Sequence, residues 1–137
     1  MGDCIFCKIL KGDISCYKTY EDENVIAFLD ILPLSKGHTL VLPKKHFRDI
    51  LEISDEELCA TMKALKRVTK HIQKVYKPEG IIVSQNNGKK AGQAVFHIHF
   101  HIKPVYNSTT IVSEVNLRRE YSKEEMENIV KDLCMLN

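Results

Sequence analysis

Three of the chain's six histidines lie within five residues, 97–101, which read His-Ile-His-Phe-His. Histidine and apolar residues alternate here with the two-residue period of a β-strand. Alternate side chains of a strand lie on the same face of a sheet, so a strand would project all three imidazoles together. We therefore predict a strand at residues 94–102 that carries three histidines on one face.

A row of imidazoles is compatible with three kinds of surface. The first is a solvated polar face, for which three histidines are a costly choice. The second is a metal site, but His97 and His101 would be about 13 Å apart at their Cα atoms, so one zinc ion bound by all three is disfavoured. The third is a phosphoryl-transfer site, because neutral imidazole is a nucleophile and protonated imidazole donates to phosphate oxygens. A metal site that uses one or two of these histidines remains open.

The loop before this strand has the composition of a phosphate site. Gly92 permits a close approach of the backbone, and the amides that follow it can form a concave anion-binding nest. The side chains of Gln93 and Asn86 offer further N–H donors. By itself the loop is more typical of a plain hairpin tip.

The rest of the chain predicts a single α+β domain over residues 1–137 with a mostly antiparallel sheet. Ser54 and Ser122 each precede a Glu by three residues, which is the capping box that begins a helix. The first starts a long helix that Pro78 and Gly80 end, and the second starts a C-terminal helix. Five strands are predicted, at residues 15–20, 24–29, 39–42, 81–85 and 94–102.

Composition excludes several classes of protein. The formal net charge is +2, so a polybasic nucleic-acid clamp is not expected, and nucleic acid is an unlikely partner. No apolar run approaches the ~20 residues that span a bilayer, so we expect no membrane segment. Five cysteines, an odd number, with no apparent signal peptide predict reduced thiols and a cytoplasmic location.

Several segments together resemble the histidine-triad (HIT) family. Residues 97–103 are similar to the family signature, in which three histidines alternate with apolar residues. Four further blocks also match, so that the resemblance covers about residues 4–104 and is strongest to the HINT-like nucleoside phosphoramidase branch. These blocks are residues 4–9, 21–31, 37–46 and 87–93. Residues 105–137 carry no usable resemblance.

The resemblance implies a fold, a reaction and roles for three histidines. HIT proteins of this branch form an α+β sheet that dimerises through the long helix and a strand. His99 matches the nucleophile that attacks the α-phosphorus of a purine nucleotide, which gives a nucleotidyl-histidine intermediate. His101 matches the residue that contacts the phosphate and the leaving group, and His38 matches a residue that helps to orient the nucleophile's ring.

The resemblance also implies a nucleotide-binding set for an AMP-type substrate or product. Asp30 matches the carboxylate that accepts from the ribose hydroxyls. The phosphate would lie against the backbone near Gln93 and the side chain of Asn86. The other implied contacts are Gly92, Ala94 and Val95 at the phosphate, and Phe6, Ile9, Phe28 and Ile31 around the base.

The Cys4-x-x-Cys7 pair is weak evidence when taken alone. A reduced apolar pair is one interpretation and a redox pair is another, although the βαβ context of a thioredoxin is missing. Many HIT relatives bind zinc with this pair and two histidines, and the matching histidines are His46 and His97. The resemblance therefore implies a structural zinc site of two cysteines and two histidines.

Two residues depart from the family pattern. Ala94 stands where relatives often carry a Ser or Thr hydroxyl. Lys103 stands where the signature has an apolar residue, and we expect its side chain to point to solvent. The leading hypothesis is a phosphoramidase-like nucleotide hydrolase. The alternatives are a dinucleoside polyphosphate hydrolase and a non-catalytic nucleotide-binding interaction module, the second of which Ala94 favours.

Overall fold

The structure is a computed structural model that describes residues 2–106 and 118–136. Within those residues the helices and strands follow in chain order as α1 (Ile5–Lys11), β1 (Lys18–Glu21), β2 (Val25–Leu29), β3 (Thr39–Pro43), α2 (Asp55–Tyr76), β4 (Gly80–Ser84), β5 (Phe100–Val105) and α3 (Lys123–Leu133). A short 3-10 turn, Lys89–Ala91, lies between β4 and β5.

All five strands belong to one sheet with the order β1-β2-β3-β5-β4. Every neighbouring pair is antiparallel. This confirms the predicted α+β class, the five-stranded antiparallel sheet and the hairpin formed by the last two strands. Both predicted helix starts are confirmed, because the hydroxyls of Ser54 and Ser122 accept from the amides of Glu57 and Glu125. Of the two, only the pair at Ser122 forms the reciprocal bonds of a capping box in the described residues.

Alternate residues of the central strands bury themselves in two different apolar clusters. Val25, Ala27 and Leu29 pack with α2 and α3 in the larger cluster. Ile26 and Phe28 point the other way and pack with Phe6 of α1. The sheet is therefore covered by α2 and α3 on one face and by α1 on the other, which explains why β2 is buried along its whole length.

The sequence analysis predicts only short strands in the first third of the chain, so it does not predict the helix α1. Cys4 is its N-cap, since the Cys4 Sγ accepts from the amide of Cys7 at 3.4 Å. Gly12 ends the helix in the left-handed conformation at φ 86° and donates to the carbonyls of Lys8 and Ile9. Cysteine is not among the preferred N-cap residues, so the usual start signals do not mark this helix.

The strand predicted at residues 94–102 is wrong in its placement, because β5 begins only at Phe100. Of the three clustered histidines, only His101 lies on it. The amide of Ile98 donates to the carbonyl of Phe47 at 2.8 Å, and the His97 ring bonds the carbonyl of Pro43. These bonds hold residues 97 and 98 to the end of β3 and to the chain that follows it, and not in a strand ladder.

The expectation that Lys103 points to solvent is also wrong, because this residue is only 2% exposed. Lys103 follows His101 by two residues on β5 and so lies on the same face of the sheet. Its positive charge helps to lower the pKa of both His38 and His101. The strand that carries His101 therefore also brings a buried cation beside it.

Candidate active site

The register of the sheet places the candidate site on the face that α1 covers. Phe28 pairs with Leu40, and Leu40 pairs with His101, so these three side chains form a row on one face. Phe6 from α1 packs edge-on against Phe28 and against His99, with ring centroids 5.5 Å and 5.1 Å apart. The N-terminal helix thus lies directly against the clustered histidines.

The ring of His99 is fixed by a hydrogen bond to the main chain. Its Nδ1 lies 2.8 Å from the carbonyl oxygen of His97, and because a carbonyl only accepts, the network assigns the proton to Nδ1. Burial holds the pKa of His99 below its ordinary value, so the ring is neutral at pH 7. The Nε2 atom therefore carries a free lone pair, as a nucleophile requires.

His38 and His101 form a directed pair. The Nδ1 of His38 accepts from the amide of Leu34 at 3.0 Å, so the proton of His38 is on Nε2. That proton points to Nδ1 of His101 at 2.9 Å, which leaves the proton of His101 on its own Nε2. Burial, aided by nearby positive charge, lowers the pKa of each to about 3. His101 is therefore a neutral donor, 5.1 Å from the His99 ring between centroids.

The contacts of His38 differ from those that its implied role predicts, since the resemblance implies that His38 orients the ring of His99. Among the described residues, the ring nitrogens of His38 contact Leu34 and His101, with Asp30 3.6 Å away. The carbonyl of His97, not His38, holds the His99 ring. His38 orients the histidine that neighbours the predicted nucleophile.

The loop that precedes the histidines is closed by the side chain of Gln93. This buried amide accepts from the amide of Gly88 and donates to the carbonyls of Arg48 and Val95. Both of its N–H groups are used, so the expectation that this side chain donates to a phosphate is wrong.

Two other parts of the loop keep free donors. Within the described chain, the backbone amides of Ala94 and Val95 donate no hydrogen bond. Gly92 has a φ of 93°, and a Cβ there would lie 3.4 Å from the amide nitrogen of Asn86. That nitrogen donates to the carbonyl of Ala91 at 2.6 Å and retains one N–H. The loop can therefore offer an anion two backbone amides and one side-chain donor.

The residues implied around the nucleoside lie at the edge of the α1 face. Phe6 and Phe28 are buried in the smaller apolar cluster, and Ile9 packs against it. Ile31 is 68% exposed at the turn after β2. Asp30, on the same turn, has a side chain only 13% exposed and accepts from the amide of Leu32. The turn thus presents one apolar and one acidic side chain beside the aromatic pair.

Arg118 contacts this turn. It lies in the C-terminal part of the chain, for which the sequence analysis predicts no functional role. Its guanidinium lies 3.2 Å from Asp30 Oδ2 and donates to the carbonyl of Leu32 at 2.6 Å. No local motif marks this arginine, since 88 residues separate it from Asp30. Only the folded chain brings the two together.

The four predicted zinc ligands converge at the N-terminus of α1. Cys4, Cys7, His46 and His97 place their donor atoms within 4.8 Å of one another. Three sulfur–nitrogen distances of 3.3–3.6 Å match the separation of about 3.5 Å expected for tetrahedral zinc. His97 Nε2 donates to the carbonyl of Pro43 at 2.8 Å, which frees its Nδ1 to bind a metal. The donor set and its geometry are compatible with zinc.

A second group of possible ligands, Asp30, His38 and His101, does not have metal geometry. The facing nitrogens of the two histidines are 2.9 Å apart. Two imidazole ligands of one tetrahedral zinc ion would be about 3.3 Å apart, with lone pairs that converge on the metal. A hydrogen bond between the rings describes this group better.

Comparison with known proteins agrees with this geometry. The profile described as HIT domain matches residues 11–108. The chain belongs to the HIT domain family. It is 52% identical over 104 residues to the adenosine 5'-monophosphoramidase hnt1 of Schizosaccharomyces pombe, covering 76% of this chain and 75% of that protein. It is 35% identical over 126 residues to the adenylylsulfatase HINT3 of Arabidopsis thaliana, covering 92% and 64%.

A solved relative also resembles the whole chain. A Zn-bound histidine triad family protein from Mycobacterium smegmatis superposes with a TM-score of 0.82 at 33% identity, covering 96% of this chain and 94% of that chain. Family membership, with hydrolase-named relatives, supports nucleotide hydrolysis as the general activity. None of the helices within residues 2–106 and 118–136 combines the length and the hydropathy of a bilayer-spanning segment.

Proposed function

We propose that the chain hydrolyses a purine nucleoside phosphoramidate, or a related nucleotide, through a nucleotidyl-His99 intermediate. The observation that carries this proposal is the bond from His99 Nδ1–H to the carbonyl of His97, which leaves a neutral ring with its Nε2 lone pair free. Nucleophilic catalysis needs this protonation state near neutral pH. The relatives named as a phosphoramidase and an adenylylsulfatase support the substrate class.

The reaction would proceed in two displacements at the α-phosphorus. In the first, His99 Nε2 forms a bond to phosphorus, the bond to the leaving group breaks, and that group departs with a proton from solvent. In the second, water attacks phosphorus and loses a proton to solvent, the nitrogen–phosphorus bond breaks with its electron pair on Nε2, and the nucleoside monophosphate and neutral His99 are released. The Nε2–H of His101 donates to a phosphoryl oxygen throughout, because the bond from His38 keeps its proton on that nitrogen.

The substrate contacts follow from the two sides of the site. The amides of Ala94 and Val95, with the remaining N–H of Asn86, would receive the phosphate. Asp30 would accept from the ribose hydroxyls. The apolar side chains would contact the base, namely Phe6, Ile9, Phe28 and Ile31. Each of these contacts comes from the family resemblance and is compatible with the positions of the residues.

Hydrolysis of adenosine 5'-phosphoramidate by wild type and His99→Asn tests the proposal. We expect wild type to release AMP and the variant to lose at least 10³-fold in kcat, because no covalent path remains. His71→Asn on α2 is the control and should keep full activity. AMP binding without turnover on any amide, ester or anhydride would favour the binding module. Faster release from a diadenosine polyphosphate would favour the dinucleotide hydrolase.

We also propose that Cys4, Cys7, His46 and His97 bind a structural zinc ion. Four protein ligands leave no open position, so bound zinc would crosslink α1 to the loop that carries His97. The Zn-bound relative supports this assignment.

We expect about one zinc per purified chain, and a strong chelator should lower Tm. Cys7→Ser should lose zinc while Cys59→Ser, an exposed thiol on α2, should keep it; equal zinc in both variants would contradict the assignment.

A homodimer and a cytoplasmic location complete the proposal. β4 lies at the edge of the sheet, and Ile82 and Val83 on it are exposed apolar residues. Such an edge favours pairing with a second copy. Light scattering should give about twice the 15.8 kDa mass of one chain. None of the five cysteines, all of which lie in the described residues, forms a disulfide, which fits a reducing cytoplasm.

A further inference from the structure

Arg118 donates hydrogen bonds to two acceptors on the turn after β2. Its Nη1 donates to Asp30 Oδ2 at 3.2 Å and to the carbonyl of Leu32 at 2.6 Å. The amide of Leu32 in turn donates to Asp30 Oδ1 at 2.9 Å. Each carboxylate oxygen therefore accepts one bond from the protein, and the guanidinium spans the turn. Arg118 lies outside residues 11–108, which the HIT domain profile matches.

The Asp30 carboxylate needs a cation in this position. Its side chain is only 13% exposed, and burying a carboxylate is costly unless it is paired. His38 lies 3.6 Å away but cannot supply a charge, because burial lowers the pKa of its ring to about 3. Arg118 is the charged group that contacts the carboxylate within the described residues. The ion pair keeps a partly buried carboxylate available as an acceptor.

The two bonds to the Asp30 carboxylate also leave enough free acceptor sites for the two hydroxyl groups of a ribose. An ionised carboxylate has about four lone-pair sites, and Leu32 and Arg118 occupy two of them. About two acceptor sites remain, one on each oxygen. Two neighbouring hydroxyl groups of a ribose are two donors that can match them. A 2'-deoxyribose would leave one of these sites unpaired.

We propose that Arg118 is a positioning residue for sugar recognition: by fixing the Asp30 carboxylate, it makes the site select ribonucleotides over 2'-deoxyribonucleotides. This inference rests on the proposed function, since it assumes a nucleotide in the site. Arg118 thereby gives the C-terminal part of the chain a role at the turn after β2. Arg118 does not touch the reacting phosphorus, so its effect falls on binding and not on the chemical step.

The neighbouring arginine provides a matched control. Arg119 carries the same side chain, but its guanidinium lies over the Tyr121 ring at 3.7 Å and 3.4 Å from Glu125. It has no described contact with Asp30. Arg118→Gln removes the charge and shortens the reach, whereas Arg118→Lys keeps the charge. Arg119→Gln removes an equal charge from the adjacent residue.

The experiment measures the dissociation constants of AMP and 2'-deoxy-AMP by titration calorimetry for wild type and these three variants. We expect wild type to prefer AMP by about 10-fold or more and Arg118→Gln to weaken AMP binding by about 10-fold, with a ratio near one. Arg118→Lys should restore much of the preference, and Arg119→Gln should match wild type. With the two corresponding phosphoramidates, Arg118→Gln should raise KM and leave kcat within about twofold.

Each contrary result has a distinct meaning. An unchanged ratio of the two constants in Arg118→Gln would overturn the role of Arg118 while leaving the nucleotide site intact. Equal binding of AMP and 2'-deoxy-AMP by wild type would overturn the sugar preference itself. Absence of nucleotide binding by wild type would overturn the proposed function together with this inference. If Arg118→Gln fails to fold, Arg118→Met takes its place, because it removes the charge and keeps an unbranched side chain, and an unchanged ratio in that variant would overturn the role of Arg118 in the same way.

Discussion

At the residue scale, the chemistry of each imidazole follows from one hydrogen-bond partner. The carbonyl of His97 can only accept, so it fixes the proton of His99 on the nitrogen away from the expected substrate. The amide of Leu34 can only donate, so it sets the proton positions of both His38 and His101. One ring thereby becomes an acceptor and its neighbour a donor, although the three side chains are chemically identical.

Ala94 is the residue at which we expect activity to be improvable. Its amide is a predicted phosphate donor, and its side chain is exposed, so a hydroxyl there has room to reach a phosphoryl oxygen or the leaving group. We predict that Ala94→Thr raises kcat/KM for adenosine 5'-phosphoramidate about two- to tenfold, the gain from one added hydrogen bond. Ala94→Val has the same shape without the hydroxyl and should show no gain. If Thr and Val behave alike, the hydroxyl does not reach the reacting groups.

At the scale of the elements, short helices with defined ends hold the site together. α1 places Phe6 against His99, and its first turn carries both cysteines of the predicted metal site. α3 follows Arg118 closely and packs its buried residues Met126, Ile129 and Leu133 into the larger cluster. The ends of α1 and α3 therefore determine where site residues lie.

The capping box of α3 defines one of these helix ends, and its contribution to stability can be measured. Ser122 Oγ accepts from the amide of Glu125, and the Glu125 carboxylate accepts from the amide of Ser122. We predict that Ser122→Ala lowers the free energy of unfolding by about 1 kcal/mol. Ser122→Asp retains an acceptor and should stay within a few tenths of a kcal/mol of wild type. Urea unfolding measures both, and equal losses in the two variants would show that the cap does not stabilise the helix.

At the scale of the whole molecule, burial of neutral histidines ties stability to pH. The pKa of His38 and of His101 is lowered by burial to about 3 from an ordinary value of 6.5. Between these values the unfolded chain binds protons that the folded chain does not. The free energy of unfolding therefore falls as the pH drops below 6.5, by up to about 1.4 kcal/mol per pH unit for each such proton.

Denaturant unfolding at pH 7.5, 6.5 and 5.5 measures this dependence. We predict that wild type loses stability across the lower interval and that the double variant His38→Asn/His101→Asn loses clearly less. His71→Asn, which changes a histidine outside the site, is the control for the loss of a histidine side chain as such. Zinc ligands are the same in all three proteins, so their protonation contributes equally. Parallel curves for wild type and the double variant would exclude the two buried rings as the cause.

Much of the fold could be predicted because its signals are local. A segment rich in aromatic and β-branched residues predicts β2, an uninterrupted apolar run that Pro43 stops predicts β3, and serine-glutamate boxes predict the starts of α2 and α3. The signals failed where local rules are silent. Cysteine is an unusual N-cap, so α1 was missed, and the alternation of residues 97–101 continues a strand pattern that the sheet itself does not include.

Local sequence signals were enough for the five strands, the two longer helices, the antiparallel α+β class and the short list of chemically competent residues. How these residues are used became fixed only when the chain folded. Folding turned the Gln93 side chain inward, paired His38 with His101, buried Lys103 and brought Arg118 to Asp30. The physical reason is that element formation depends on neighbours in the chain, whereas proton positions, burial and ion pairs depend on groups that become neighbours only on folding.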